Sequence, residues 1–184
     1  MENDTTRDWK RLSSNMVYSN PWIEVYHEDV INPNGGNAIY GRVHFKHIAI
    51  GILPIDNENH TWLVGQKRYP IDAYTWEIPE GGAPLSEDPL VAAKRELAEE
   101  VYLKADTWIE LQQADLSNSA TDERTIIYLA KDISPCYGHQ RDDTEDLTIR
   151  RVPMNDFISM VNDGTIRDSL SVMAALKYQL MMKA

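Results

Sequence analysis

The stretch from Gly81 to Leu103 constrains this chain more than any other. It opens on Gly81-Gly82, crosses a short run containing Pro84 and Pro89, and continues as Leu90-Val91-Ala92-Ala93-Lys94-Arg95-Glu96-Leu97-Ala98-Glu99-Glu100-Val101. Helical patterning spans Ser86 to Val101, with Ser86 as the expected N-cap and Glu87 and Asp88 beside the positive end of the helix dipole. Leu90, Ala93, Leu97 and Val101 recur at helical spacing and form an apolar stripe. At about 100° per residue, Glu96, Glu99 and Glu100 share an arc of roughly 100° next to that stripe. One face therefore packs while another concentrates negative charge. Like charges at i,i+4 cost an isolated helix about 0.2–0.5 kcal/mol, so a cation is expected to offset them. Hard oxygen donors on a rigid helix, with no His or Cys beside them, suit Mg²⁺ or Mn²⁺ rather than zinc.

The rest of the chain predicts mainly strands. Val17-Tyr18 and Trp22 to Val30 mix aromatic and β-branched residues in near alternation. Asn32-Pro33-Asn34-Gly35-Gly36 is a turn cluster, and Ala38 to Phe45 can return as the second arm of a hairpin. Ile48 to Ile55 is apolar on both faces and hence a central strand. Further strands are expected at 61–66, 75–78, 124–130 and 147–152, with closing helices at 155–162 and from Asp168 to about Met182. Strands and helices mix without βαβ alternation, which gives the α+β class with a mixed sheet. Residues 1–15 are polar and aperiodic and read as a flexible arm.

The 81–103 segment resembles the Nudix box, G-x5-E-x7-R-E-U-x-E-E-x-G-U with U apolar, at Gly81, Glu87, Arg95, Glu96, Leu97, Glu99, Glu100 and Leu103. Tyr102 stands where the family has a second glycine to end the helix. The resemblance implies a Nudix-type α/β/α sandwich over 47–184, preceded by an N-terminal antiparallel β-extension over 16–46 that serves dimerisation. It also implies hydrolysis of a nucleoside diphosphate linked to another moiety, by water attack at phosphorus. Metal ions on Glu96, Glu99 and Glu100 would neutralise the diphosphate and lower the pKa of a water. In such a family Arg95 ties down neighbouring glutamates, and the carbonyl before the first box glycine, here that of Glu80, joins the metal shell.

Similarity reaches beyond the box, through Val17 to Trp22, Gly65 to Pro70, Trp76 to Gly82 and Asp163 to Ser169, to the ADP-ribose and nucleoside-diphosphate-sugar pyrophosphatases. That branch implies a homodimer, with Trp22, Tyr26 and Glu28 at the nucleobase or the dimer seam. Packing is the ordinary role of such strand aromatics. Arg68 matches a substrate-binding arginine, with a pair to Glu77 or Glu80 as its other role, and Arg42 is a second candidate. Ser117-Asn118-Ser119 stands where ADP-ribose enzymes carry Ser-Pro-Gly, which leaves both ADP-ribose and other nucleotide sugars such as GDP-mannose open, with Ser119 a donor for sugar or base. The acidic run Asp142 to Asp146 matches a loop that carries the general base or a further metal ligand; Glu145 is the first choice, Asp143 the second, and Glu99 is the third catalytic candidate. The competing reading is a Nudix-like sensor that binds a nucleotide sugar without cleaving it. Retention of Glu96, Glu99 and Glu100 favours the enzyme.

Composition sets the partners. A net charge of −11 disfavours nucleic acid. A single cysteine, Cys136, excludes a disulfide framework and fits a reducing cytoplasm, and no apolar run is long enough to span a bilayer.

Overall fold

The computed structural model describes residues 8–138 and 146–183. The chain forms two compact units, one from the residues up to His47 with Asp115–Glu123, the other from Ile48–Ala114 with Arg124 onward.

The first unit is an antiparallel sheet ordered β1-β2-β3, with β1 at Lys10–Ser19, β2 at Ile23–Ile31 and β3 at Asn37–Phe45. The expected hairpin is β2-β3: the Asn32 side-chain oxygen accepts the N–H groups of Asn34 and Gly36 at 2.9 and 3.1 Å, and Gly35 takes φ 84°. The expectation of a flexible arm over 1–15 needs correction, because β1 starts at Lys10. Ser13 and Ser14 hydroxyls donate to Asp29 and Glu28 at 2.6 and 2.9 Å across the β1-β2 pair. As an edge strand exposed along nearly its whole length, β1 lacks the alternation that reveals half-buried strands. The 115–123 segment also belongs here, with Val43 bridged to Thr121 and its N–H donating to the Ala120 carbonyl at 2.9 Å.

The second unit holds two sheets. One is ordered β10-β5-β6, from β5 (His60–Arg68), β6 (Ala73–Glu77) and β10 (Thr148–Pro153). The other is ordered β7-β4-β9-β8, from β4 (His47–Pro54), β7 (Glu80–Pro84), β8 (Leu103–Asp115) and β9 (Arg124–Pro135), with β4 and β9 parallel. Three helices, α1 (Pro89–Val101), α2 (Met154–Asn162) and α3 (Ser169–Met181), complete the α+β fold among the described residues. β4 shows how helices cover it on both sides. Ile50 and Ile52 are fully buried in one cluster with Ala92, Ala93, Leu97 and Val101 of α1. Gly51 points the other way, where a Cβ would sit 3.2 Å from Leu170 of α3 and from Ile78. The strand β8 has no counterpart in the sequence expectations. It is an edge strand, and most of its side chains are partly or fully exposed.

The helix α1 starts later than its pattern suggests. Asp88, not Ser86, is the N-cap, its carboxylate accepting the Leu90 N–H at 2.8 Å, with Pro89 in the first turn where no N–H is needed. Its end is formed by Tyr102 itself, which adopts φ 57° and ψ 39° and donates its N–H to the Leu97 carbonyl. The missing glycine thus costs backbone strain rather than the helix stop, about 1–2 kcal/mol for an L-residue in this region. A β-branched side chain fits the left-handed region worst. Tyr102→Val is accordingly expected to be less stable than Tyr102→Gly by at least about 1 kcal/mol in urea unfolding. Equal stability of the two variants would contradict the strained cap.

Candidate active site

The strand β7 and the helix α1 are joined by the residues that the sequence singles out. The Glu80 N–H donates to a Glu100 carboxylate oxygen at 2.9 Å. Over Gly81 lies the Glu96 carboxyl, on which any Cβ would fall. The Gly82 carbonyl accepts from Arg95 Nη2 at 3.1 Å. Three successive backbone positions of β7 are therefore each engaged by one side chain of α1. Arg95 also donates to Glu96 at 2.7 Å and Glu99 at 3.1 Å and pairs with Glu87 at 3.5 Å. This is the tying role read for it, and it offsets the repulsion among the acids. Glu96 and Glu100 are buried, and Glu99 is more open.

Behind β7 stands a second carboxylate group. Arg68, at the end of β5, donates Nε to Glu77 at 3.0 Å and Nη2 to its other oxygen, while the Thr75 hydroxyl donates to Glu77 at 2.6 Å. Glu77 is only 3% exposed and is spent on holding Arg68. Arg68 thus fills its structural role, pairing with Glu77 and standing 4.0 Å from Glu80. Its Nη1 has no acceptor among the described residues.

The Glu80 side chain is the exception. Its Oε1 is buried with no hydrogen-bond partner among the described residues. Burial raises its pKa well above the ordinary carboxyl value, Asp168 and Glu77 raise it further, and Arg68 opposes them. Between the ordinary value and the raised one, the folded state holds more protons than the unfolded state, so stability falls as pH rises through that window. Glu80→Gln removes the charge and gives Asp168 an amide donor. In chelator at about pH 8 its melting temperature is expected to exceed the parent's by about 2–4 °C per kcal/mol relieved, and to fall less steeply with pH. A variant no more stable than the parent at that pH contradicts the strained carboxylate.

These features fit a divalent cation. A buried carboxyl oxygen without a donor, a glycine that admits the Glu96 carboxyl over its Cα, and donors that are all oxygen suit a hard ion. Among the described residues, however, the one trio with ligand atoms within 4.8 Å of one another is Asp56, Glu58 and His60, on the β4-β5 turn. Arg151 already occupies it, donating to Asp56 at 2.5 Å and to Glu58 at 2.6 Å. The box carboxylates instead face Arg95 and the Glu80 N–H. Glu145 and Asp143 lie outside the described residues.

The remaining candidates sit in the first unit. Glu28 is buried and pairs with Ser14 at 2.9 Å, Arg42 at 3.4 Å and Arg11 at 3.5 Å. Burial raises its carboxyl pKa, but the Ser14 hydroxyl and the two arginines outweigh it and hold the group below the ordinary value. The Arg42 guanidinium lies 4.4 Å from the Tyr26 ring centroid and 3.6 Å from Asp122. Ser119 joins through its carbonyl, which accepts from the Tyr40 hydroxyl. Trp22 is 64% exposed just before β2, with its carbonyl bonded to the Lys46 N–H at 2.9 Å. Trp9, Arg11 and Tyr40 were not among the expected residues, yet with Glu28, Val30 and Arg42 they line a cavity of about 390 Å³. Trp9 and Tyr40 meet edge to face at 5.3 Å. Only the aromatic character of both could have signalled them.

A glycine-bearing strand joined through its backbone to a carboxylate-bearing helix, on an α+β scaffold, is the arrangement that the sequence motif describes. The NUDIX domain model matches residues 45–170, and the nucleoside diphosphate sugar hydrolase N-terminal domain matches residues 9–43. The chain belongs to the Nudix family and is a Nudix hydrolase. It is 28% identical over 174 residues to an ADP-ribose pyrophosphatase of Mycobacterium tuberculosis, covering 92% of this chain and 82% of that one. It is 29% identical over 175 residues to a methanol dehydrogenase activator of Bacillus methanolicus, covering 93% and 92%. The crystal structure of an ADP compounds hydrolase shares the fold with a TM-score of 0.86 over 97% of this chain and 96% of that one, at 23% identity. Among the described residues no helix is long and apolar enough to cross a membrane.

Proposed function

We propose that this protein is a Mg²⁺-dependent pyrophosphohydrolase that cleaves a nucleoside diphosphate sugar, ADP-ribose or a relative such as GDP-mannose, to a nucleoside monophosphate and a sugar phosphate. The observation that carries this reading is the convergence of Glu80, Glu96 and Glu100 on β7, with one buried Glu80 oxygen left without a donor. Glu96, Glu99 and Glu100, the Glu80 carbonyl and Glu145 would hold the ion. When bound, it supplies neutralisation of the diphosphate and a lower pKa for the attacking water.

The chain's own groups supply the rest. Hydrolysis breaks one P–O bond of the anhydride, forms another to the water oxygen and releases a proton. Glu145 is the first candidate to take that proton, Asp143 the second and Glu99 the third. Arg95 holds Glu96 and Glu99 in place, and Arg68 offers its free Nη1 to the substrate. Glu28, Arg42, Ser119 and Trp22 are the candidates for reading base and ribose.

Two copies are expected to associate through the N-terminal sheet. Its edge strand β1 exposes Leu12, Met16, Val17 and Tyr18, and Trp9, Trp22 and Ile39 are exposed in the same unit. Light scattering should then give twice the chain mass of 21.1 kDa.

The test of function is incubation with Mg²⁺ and ADP-ribose, GDP-mannose, ADP-glucose, UDP-glucose and NADH, with products separated by chromatography. Metal-dependent release of a nucleoside monophosphate from at least one is expected. Release from none sinks the reading, and binding without cleavage would mark a sensor.

A further inference from the structure

Beside the carboxylates lies a cavity of about 640 Å³ whose chemistry the hydrolysis of a neutral sugar conjugate does not use. It is bounded by the 3-10 turn Tyr69–Ile71, by β6 and by the loop leading into α3. That volume lies within the roughly 300–1,000 Å³ typical of small-molecule sites. Glu77, Asp168 and Arg68 line it and are also charged neighbours of Glu80, so the cavity adjoins the carboxylate site.

Its lining sets two guanidinium groups against two carboxylates, and both carboxylates already accept hydrogen bonds. Glu77 is spent on Arg68 and Thr75, and the Asp168 carboxylate caps α3 by accepting the Ser171 N–H at 2.7 Å. Two guanidinium groups keep donors to offer. Arg68 turns only its Nε and Nη2 to Glu77, and Arg167, exposed in the loop before α3, forms no hydrogen bond or ion pair with any described residue. Thr165 and the positive end of the 13-residue helix α3 border the same space. Tyr74, 53% exposed, supplies a flat wall against which a sugar ring can rest. A terminal ribose needs only hydroxyl partners, and two forked cations are more than it can use. A phosphate monoester accepts from both.

We propose that this cavity is a second anion subsite, in which Arg167 and Arg68 take a phosphate monoester on the moiety beyond the scissile diphosphate. The preferred substrates are then nucleoside diphosphate sugars whose distal sugar is itself phosphorylated. This rests on the reading of the carboxylate site as a pyrophosphohydrolase centre.

The test compares ADP-ribose with ADP-ribose carrying a phosphate on its distal ribose, and with the isomer carrying it on the adenosine ribose. In the parent protein kcat/KM is expected to be about tenfold or more higher for the distal phosphate than for ADP-ribose, with no such gain for the adenosine isomer. Arg167→Ala should bring that ratio to about one, and Arg167→Lys should restore part of it, with melting temperatures unchanged because the side chain is exposed and unpaired. No preference in the parent, an equal gain for both isomers, or an Arg167→Ala variant that keeps the ratio would each overturn the subsite. Calorimetry with ribose 5-phosphate in chelator, where no cation can hold its phosphate among the carboxylates, separates the two readings. Binding at least tenfold weaker in Arg167→Ala supports the subsite even if no diphosphate is cleaved, and equal binding by both proteins refutes it even if cleavage occurs.

Discussion

Glu100→Gln is expected to lower kcat by about 10³-fold, roughly 4 kcal/mol of transition-state stabilisation, and to leave the fold intact. Glu100 is 2% exposed, and one of its oxygens accepts the Glu80 N–H at 2.9 Å. A glutamine keeps that acceptor and nearly the same volume, so the β7-α1 junction survives. What disappears is a full negative charge in a place where the dielectric is low and charge counts most. The pair of measurements is kcat on the best substrate of the panel at saturating Mg²⁺, and the melting temperature in chelator. A variant with parental kcat would remove Glu100 from the cation site. A variant that loses both activity and several degrees of stability would show that Glu100 serves mainly to hold β7.

What could be read in advance follows the physics of each residue. The hairpin β2-β3 and the central strand β4 were legible because burial on one or both faces leaves period-two or continuous apolar patterns. The acidic arc of α1 was legible because helix geometry alone places Glu96, Glu99 and Glu100 together. The edge strands β1 and β8 were not, since a strand with little buried surface carries no such pattern. Gly81 and Gly82 lie in β7, a strand that the sequence did not announce, and the glycine at 81 serves the approach of Glu96. The site is legible to the same extent. Arg68 could be listed with two roles, yet that Glu77 takes one edge of it and leaves the other free depends on the β5-β6 pairing. Asp168 beside Glu80 joins residues far apart in the chain, and no local pattern announces it. Likewise, the Asp122 carboxylate that meets His44 at 2.6 Å and Arg42 at 3.6 Å comes from a segment that packs with the N-terminal sheet.

Gly81→Ala provides the sharpest test that this junction, and not charge alone, makes the site. The added Cβ would coincide with the Glu96 carboxyl. Two relaxations are open to the protein, and both are costly. If Glu96 swings away, it gives up its 2.7 Å bond from Arg95 and the compensation of its charge that goes with it. If β7 withdraws instead, the 2.9 Å bond from Glu80 to Glu100 and the 3.1 Å bond from Arg95 to the Gly82 carbonyl are stretched together. Overpacking of this kind costs about 1–3 kcal/mol. At about 2–4 °C per kcal/mol for a chain of this size, a melting temperature lower by roughly 2–12 °C is expected. Because either relaxation separates Glu96 from the backbone of β7, the stabilisation expected from Mg²⁺ should shrink as well, and activity should fall at least about 10²-fold. The control is Gly41→Ala in β3, where a Cβ meets nothing within 4 Å and the change should stay within about 0.5 kcal/mol. Two alanine variants with equal melting temperatures would mean that Glu96 leans over Gly81 without constraining it. A Gly81 variant that loses stability but keeps its response to Mg²⁺ would place the cation on Glu99 and Glu100 without Glu96.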